Sequence, residues 1–411
     1  MTLSSVSRTS SPPVSAPEGL TRPVSARMPD LDAYRAMAAI GVIIFHAYQF
    51  SRPGGIYPYG NTAVAHILVA LDELVSLFLV LSAFLLYVPL ATRLIDGPSA
   101  VSRGTTAGGF LVRRAVRILP LYWIAIIVVW TSRNQYAPMD WRDLIEHLTF
   151  TQVFDTKRIF YTIGPAWSLA VEVYFYVFLT AMWWLVNRLP IDRMSYRARM
   201  CLALAMPSVL IAASVLYLLW AVYIRHEPPT NWSIWFNPLA KADTFGAGMG
   251  LAIVVVLRRG RRPLSPSTGV AIRLGAVALL AYVITSRNPS AEAAVYLHKL
   301  ATVGFALLLA SSVMVDRRAR WRIALSHRYL VHLGMISYSV YIWHEPIMLA
   351  LSGHGLFHVS HAGFPVQAAV LVVLSLLAGW LSYWIIEYPG QQLIGLIRER
   401  RATNAESTVT G

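Results

Sequence analysis

The chain has 411 residues, of which 56% are hydrophobic and only 13% are charged. Soluble domains carry about 25% charged residues, so this composition excludes an ordinary soluble protein and favours one that is solvated by lipid. A single cysteine, Cys201, excludes a disulfide framework and a cysteine-based metal site. The net charge of +15 would suit a nucleic-acid partner, but membrane topology explains its distribution better, and we expect no such partner.

The chain begins with a polar segment. Residues 1–29 are rich in Ser, Pro and Arg and lack the apolar core of a cleaved signal peptide, which predicts a disordered cytoplasmic tail. Residues 394–411 predict a similar cytoplasmic tail at the other end. Between them, residues 30–393 are predicted to form one membrane domain.

Ten apolar segments follow the N-terminal tail, and a run of about 20 apolar residues is enough to cross the hydrocarbon of a bilayer as a helix. The segments are residues 31–50, 66–92, 115–132, 166–187, 200–224, 237–257, 268–286, 293–315, 329–350 and 364–388. An Arg-bearing amphipathic stretch, Gly108 to Ile118, leads into the third segment and is typical of a partly interfacial helix. We predict an all-α polytopic membrane protein with about ten transmembrane helices.

The orientation follows from the positions of Lys and Arg. With the N-terminus inside, the cytoplasmic segments hold 24 of the 35 basic residues and the outer loops hold seven. Cytoplasmic loops carry such an excess, so we predict an inner or plasma membrane protein with both termini in the cytoplasm. The longest outer loop, residues 133–165, is too short to form a separate domain.

The first predicted helix carries two ionisable side chains, Arg35 near its inner end and His46 in the outer half. Eleven residues of helix come within about 20° of a whole number of turns and rise about 16 Å. Arg35 and His46 therefore share one face. Because a charge inside the bilayer is costly, such residues are functional candidates by default.

The other polar residues are predicted to lie at two depths in the membrane. Arg113, Arg114 and Arg117 lie with Arg35 near the cytoplasmic side, where guanidinium groups suit a phosphate-bearing ligand. Topological anchoring alone would also place Arg113 and Arg114 there. The outer half gathers Glu172 and the acceptor-site candidates, which are Asp72, Glu73, Trp167, Ser168, Asp243, His344 and Glu345.

His46 beside a carboxylate such as Glu172 suits general-base activation of a hydroxyl, with the carboxylate orienting the ring. The alternative is a buried structural histidine that bonds to a neighbouring backbone carbonyl. For Ser82 we expect an interhelical hydrogen bond.

Several segments across the membrane domain carry a family pattern. They are the Arg35-to-His46 spacing, Phe78 to Leu85, Arg113 to Tyr122, Trp167 to Glu172, Ile336 to His344, and Glu387 to Pro389. The sequence resembles the membrane-bound acyltransferase family 3, whose O-acyltransferases modify sugars, antibiotics and cell-envelope polymers. It departs from the family at Ala83, where Gly is frequent, and at Ser76, where Asp is frequent.

The resemblance implies a cytoplasmic acyl-CoA donor, with acetyl-CoA as the default, and a hydroxyl-bearing acceptor. Residue by residue it points to Arg35, His46, Arg113, Arg117 and Glu172. We predict catalytic roles for His46, Glu172 and Arg35, and donor binding by Arg35, Arg113, Arg114, Arg117 and Tyr122. The pantetheine arm would have to bridge the gap between Arg35 and His46. We expect no metal, no permanently bound cofactor and no required protein partner.

Two other functions remain open from the residues. A transporter would use the same polar side chains as a path for an amphiphilic solute, although no inverted halves are recognisable. A sensor or scaffold would leave the buried charges unexplained. Direct transfer and a covalent acyl relay both fit the sequence, and the acceptor could be a sugar, a polysaccharide, a glycolipid or a secondary metabolite.

Overall fold

The computed structural model describes residues 28–60, 62–97, 106–134, 139–286, 291–316 and 318–392. The two predicted tails fall outside these ranges, except that the first helix already begins at Pro29. In the described ranges the chain forms fourteen α-helices: α1 (Pro29–Phe50), α2 (Ala63–Ala70), α3 (Leu74–Ile95), α4 (Ala107–Asn134), α5 (Trp141–Leu148), α6 (Ala166–Arg188), α7 (Tyr196–Leu219), α8 (Trp232–Trp235), α9 (Ala242–Leu257), α10 (Pro266–Thr285), α11 (Ala291–Val313), α12 (Arg320–Leu325), α13 (Arg328–Gly353) and α14 (Phe364–Ser382).

Helices lie at all ten predicted apolar segments, and the all-α polytopic membrane class is confirmed. Seven helical stretches of the described chain are long and apolar enough to cross a membrane: Ala63–Ile95, Ala107–Arg133, Ala166–Arg188, Tyr196–Ile224, Pro266–Thr285, Val295–Val313 and Phe364–Gln392. The other three predicted segments are α1, α9 and α13. Helix α9 has only 16 residues, whereas polar side chains lower the mean hydropathy of α1 and α13.

The structure refines several predicted boundaries. The second segment is not one helix, because a 3₁₀ turn at Leu71–Glu73 separates α2 from α3. Helix α9 begins at Ala242, after the predicted start at residue 237. The amphipathic stretch from Gly108 to Ile118 is continuous with the rest of α4. The short helices α5, α8 and α12 lie in connections for which no helix was predicted.

Glycines allow two pairs of helices to approach closely. A Cβ atom at Gly334 of α13 would overlap the carbonyl oxygen of Asp32 on α1. A Cβ atom at Gly248 of α9 would overlap the carbonyl oxygen of Val80 on α3. Small residues at such contacts let backbones pack without a side chain between them, which is a common way of joining helices in membranes. Helices α1 and α13, far apart in sequence, are therefore direct neighbours.

Candidate active site

A cavity of about 210 Å³ lies inside the helical bundle, between α1, α3, α4, α6 and α13. Its polar lining consists of Arg35, Ser82, Arg114, Arg117, Ser168, Glu172, Tyr176, Ser337, Tyr338 and Tyr341. We call this space the arginine cavity. Three guanidinium groups face one carboxylate in this lining, so its side chains carry an excess of positive charge.

The arginines of the cavity come from two helices. Arg35 lies in the second turn of α1, where its Nη1 atom is 3.5 Å from Oδ1 of Asp32. It is within electrostatic range of Arg114, Arg117 and Glu172. Two further carboxyl groups lie nearby but outside the lining: Asp32, and Glu387, which interacts electrostatically with Arg117. Arg113, which was predicted with this group, is exposed and does not line the cavity.

Glu172 is the acidic group of the arginine cavity. Ser82 on α3 donates a hydrogen bond of 2.5 Å to its Oε1 atom, which confirms the predicted interhelical bond of Ser82. Tyr176, one turn further along α6, lies close enough to Glu172 and Arg114 to interact electrostatically with both. The carboxylate therefore holds Ser82 and balances guanidinium charge. The prediction that Glu172 orients His46 is not supported by any contact in the described chain.

The connection before α6 is itself folded. Residues 139–165, which we call the α4–α6 connection, contain α5 and a 3₁₀ turn at Gln152–Phe154. Asp143, His147 and Gln152 of this connection are fully buried, as is Ala166 at the start of α6. This folded connection therefore covers the start of α6.

Ion pairs hold the exposed part of the α4–α6 connection. Arg158 binds Asp140 at 2.9 Å and Asp155 at 3.0 Å. Partial burial raises the pKa of the Asp155 carboxyl, but the backbone N–H groups of Lys157 and Arg158 and the Arg158 guanidinium outweigh it. The pKa of Asp155 is therefore held below its usual value.

His46 meets a second histidine. Its Nδ1 atom lies 3.0 Å from the carbonyl oxygen of Val42 and 3.1 Å from Nε2 of His344 on α13. The two ring centroids are 4.9 Å apart. Nδ1 of His344 in turn lies 2.5 Å from the carbonyl oxygen of Tyr341. The neighbour that the structure gives to His46 is thus His344 rather than Glu172.

Tyr341 connects this histidine pair to the arginine cavity. It lines the cavity, and its ring centroid is 5.4 Å from that of His344. Its hydroxyl pairs with Ser168 at 2.8 Å and donates to the carbonyl oxygen of Pro165 at 3.1 Å. Glu345, on the other side of His344 in α13, accepts a 2.5 Å hydrogen bond from the backbone N–H of Gly164. The end of the α4–α6 connection is therefore attached to α13 around the histidine pair.

Asp243 belongs to a separate buried cluster. Nζ of Lys299 on α11 lies 2.6 Å from Oδ1 of Asp243 and 2.6 Å from Oγ of Ser214 on α7. Ser214 also donates to Asp243 at 3.0 Å and to the carbonyl oxygen of Ala240 at 2.9 Å. We call Ser214, Asp243 and Lys299 the lysine cluster. It contributes no residue to the arginine cavity.

The remaining acceptor-site candidates also lie away from the cavity lining. Glu73, in the 3₁₀ turn with Asp72, binds His298 at 3.2 Å and accepts from Ser76 at 3.4 Å. Trp167 stacks on Phe236 with a centroid distance of 4.0 Å. The structure thus brings Ser168 to the cavity and His344 and Glu345 to its border, but not Asp72, Glu73, Trp167 or Asp243.

Tyr122, predicted to bind the donor, packs against the α4–α6 connection instead. Its hydroxyl donates to the carbonyl oxygen of His147 at 2.9 Å, and its ring stacks on Phe150 at 4.4 Å. It is fully buried and does not line the cavity. Tyr122 follows the arginines in the sequence, but this order does not determine which face of α4 it occupies.

Three tyrosines of the cavity were not predicted from the sequence. Tyr176 follows Glu172 by one helical turn, and residues four apart share a helix face. Tyr338 donates to the carbonyl oxygen of Ile118 at 2.8 Å, and Tyr341 lies in the same segment as His344. The positions of Tyr176 and Tyr341 relative to Glu172 and His344 in the sequence could have indicated that they lie near the cavity. In the part of the chain that the structure describes, no group of three or more His, Cys, Asp or Glu residues could hold a metal ion.

Comparisons with known proteins agree with one another. A family model described as "Acyltransferase domain" matches residues 28–384. The chain is 25% identical to acyltransferase MdmB of Streptomyces mycarofaciens over 94% of this chain and 97% of that protein. It is 23% identical to O-acetyltransferase OatA of Staphylococcus aureus (strain NCTC 8325 / PS 47) over 88% of this chain, which spans 57% of OatA. No solved structure matches the chain.

Proposed function

Because the chain belongs to acyltransferase family 3 and is a multi-pass membrane O-acyltransferase, we propose that it takes its acyl group from cytoplasmic acyl-CoA. We propose acetyl as the acyl group, in keeping with the name of the relative OatA. The proposed acceptor is a hydroxyl of a sugar, polysaccharide, glycolipid or secondary metabolite. The charge distribution supports an inner or plasma membrane location with both termini in the cytoplasm.

The observation that carries the proposal is the convergence of three guanidinium groups on one open cavity, whose lining holds a single carboxylate. Charges inside a membrane protein are expensive, so an anionic ligand in this cavity would complement Arg35, Arg114 and Arg117. Guanidinium groups bind phosphate through paired, charge-assisted hydrogen bonds. Coenzyme A provides such phosphates.

The size of the cavity limits how the donor would bind. Pockets for drug-sized ligands hold about 300–1,000 Å³, and the arginine cavity holds about 210 Å³. We propose that the nucleotide stays at the cytoplasmic mouth, with its phosphates at Arg114 and Arg117, while the pantetheine arm enters the bundle. The thioester would then approach Tyr341 and the histidine pair.

The proposed chemistry uses His46 as general base. Its imidazole takes the proton of the acceptor hydroxyl while the hydroxyl oxygen attacks the thioester carbonyl. The tetrahedral intermediate collapses with cleavage of the carbon–sulfur bond. The imidazolium returns the proton to the departing CoA thiolate, so the products are an ester and free CoA.

Labelled acetyl-CoA tests this proposal in membranes that contain the full-length protein. We expect His46→Ala to lower label transfer by about 10²- to 10⁴-fold, the usual contribution of a general base, while CoA binding is retained. His332→Ala is the matched control, because His332 is an exposed histidine on α13. Wild-type turnover by His46→Ala, or solute movement without consumption of acyl-CoA, would overturn the proposal.

A further inference from the structure

We infer that His344 is a positioning residue that fixes the proton of His46 on Nδ1, so that Nε2 of His46 is the basic nitrogen. The inference rests on the proposed function, because it assigns the atom that accepts the proton of the acceptor hydroxyl. It replaces the carboxylate that the sequence predicted as the partner of His46.

The tautomer of His344 follows from its backbone contact. A carbonyl oxygen can only accept a hydrogen bond. Nδ1 of His344, 2.5 Å from the carbonyl oxygen of Tyr341, therefore carries a hydrogen. A neutral imidazole has one N–H group, so Nε2 of His344 presents a lone pair.

The tautomer of His46 follows in turn. Its Nδ1 atom faces two acceptors, the carbonyl oxygen of Val42 at 3.0 Å and Nε2 of His344 at 3.1 Å. Nδ1 must therefore be the protonated nitrogen, with its hydrogen shared between the two. Nε2 of His46 makes no hydrogen bond within the described residues, which leaves its lone pair available to a hydroxyl.

The arrangement also suits the charged form of His46. When Nε2 takes up a proton, the positive charge spreads to the Nδ1–H group, which already faces two acceptors. A second proton on His344 would instead place two N–H groups opposite each other, so the pair favours the charge on His46. In serine hydrolases, an aspartate that accepts from histidine Nδ1–H has this role; here a neutral imidazole would fill it.

The expected effect is moderate, because Val42 would still accept from His46 Nδ1–H if His344 were removed. We expect His344→Phe, which keeps a ring but removes the acceptor, to lower kcat by roughly ten- to a hundredfold, less than the loss of the base itself. The KM for acetyl-CoA should stay within about twofold, because His344 does not line the arginine cavity. His344→Gln, which restores an acceptor oxygen, should recover most of the kcat.

Steady-state kinetics of the purified full-length protein in nanodiscs tests these expectations, with His332→Phe as the control on the same helix. In a His46→Ala background, His344→Phe should have no further effect, because the two residues act as one unit. Unchanged kcat in folded His344→Phe, with His46→Ala inactive, would overturn the inference and leave the proposed function standing. If His344→Phe fails to fold, His344→Gln decides: near wild-type kcat supports the inference, and a kcat as low as that of His46→Ala overturns it. An active His46→Ala variant would instead overturn the proposed function.

Discussion

The arginine cavity and the lysine cluster both place ionisable side chains inside the helical bundle, yet they differ in space and in charge balance. In the lysine cluster, Lys299, Asp243 and Ser214 contact one another directly. One ammonium group meets one carboxylate there. The arginine cavity has open volume, and its lining holds three guanidinium groups and one carboxylate.

Burial of a charge therefore does not by itself identify a functional site. The sequence grouped Asp243 with the acceptor candidates because intramembrane charges are functional candidates by default. Its partner Lys299, on another helix, makes the cluster a neutral contact between α7, α9 and α11. Several arginines that converge on an open cavity are the better indicator of a binding site.

The largest expected effect concerns the stability of the lysine cluster. Lys299→Met should lower the free energy of unfolding by about 3–5 kcal/mol, because it leaves the carboxylate of Asp243 buried without its cation. The double variant Lys299→Met/Asp243→Leu should regain much of this loss. Thermal denaturation of the purified protein measures both changes.

Acyl transfer per folded molecule should stay the same in these two variants. If Lys299→Met instead keeps its stability but loses activity, the lysine cluster takes part in the reaction. That result would contradict the assignment of the arginine cavity as functional and the lysine cluster as structural.

An intermediate effect is expected at the arginine cavity. Arg117→Ala should raise the KM for acetyl-CoA by about ten- to a hundredfold, because a hydrogen bond to a charged group contributes about 1.5–3 kcal/mol. Arg113→Ala is the matched control, since Arg113 is exposed and outside the cavity lining, and its KM should stay within about twofold. Initial rates at varied acetyl-CoA concentration measure the contrast. Equal effects of the two substitutions would indicate that these arginines act only as topological anchors.

The smallest effect is expected for Ser82→Ala, which removes the hydrogen bond to Glu172. This hydrogen bond joins two groups of the protein rather than the protein and the substrate, so only part of its energy should affect the reaction and we expect a change in kcat/KM of about fivefold or less. The same kinetic assay measures it. Complete loss of transfer would show that the Ser82 hydroxyl takes part in the chemistry, as a covalent relay would require.

Much of the fold was predictable because each apolar segment is a local property of the sequence. Helices occupy all ten predicted segments, but the break at Leu71–Glu73 was missed, since both of its flanks are apolar. The short helices α5 and α8 were also missed, because a periodic pattern needs more residues than they contain.

The candidate site was predictable as a set of residues but not as a set of pairs. Arg35, Arg114, Arg117 and Glu172 were all singled out, and the structure brings them to one cavity. Which residue would meet His46 could not be read from depth, because depth does not reveal which helices are neighbours. The contact between α1 and α13 brings His46 next to His344, although 298 residues separate them in the sequence.

Gly334 makes this contact possible and has a consequence for how the chain tolerates substitution. Its backbone lies against that of Asp32, with no room for a methyl group, on the two helices that bring the histidines together. A change as small as alanine would force α1 and α13 apart without altering any group that reacts. Substitution of Gly334 should therefore impair the protein although glycine has no side chain that could react. A map of loss-of-function variants should include Gly334 together with the residues that take part in the reaction.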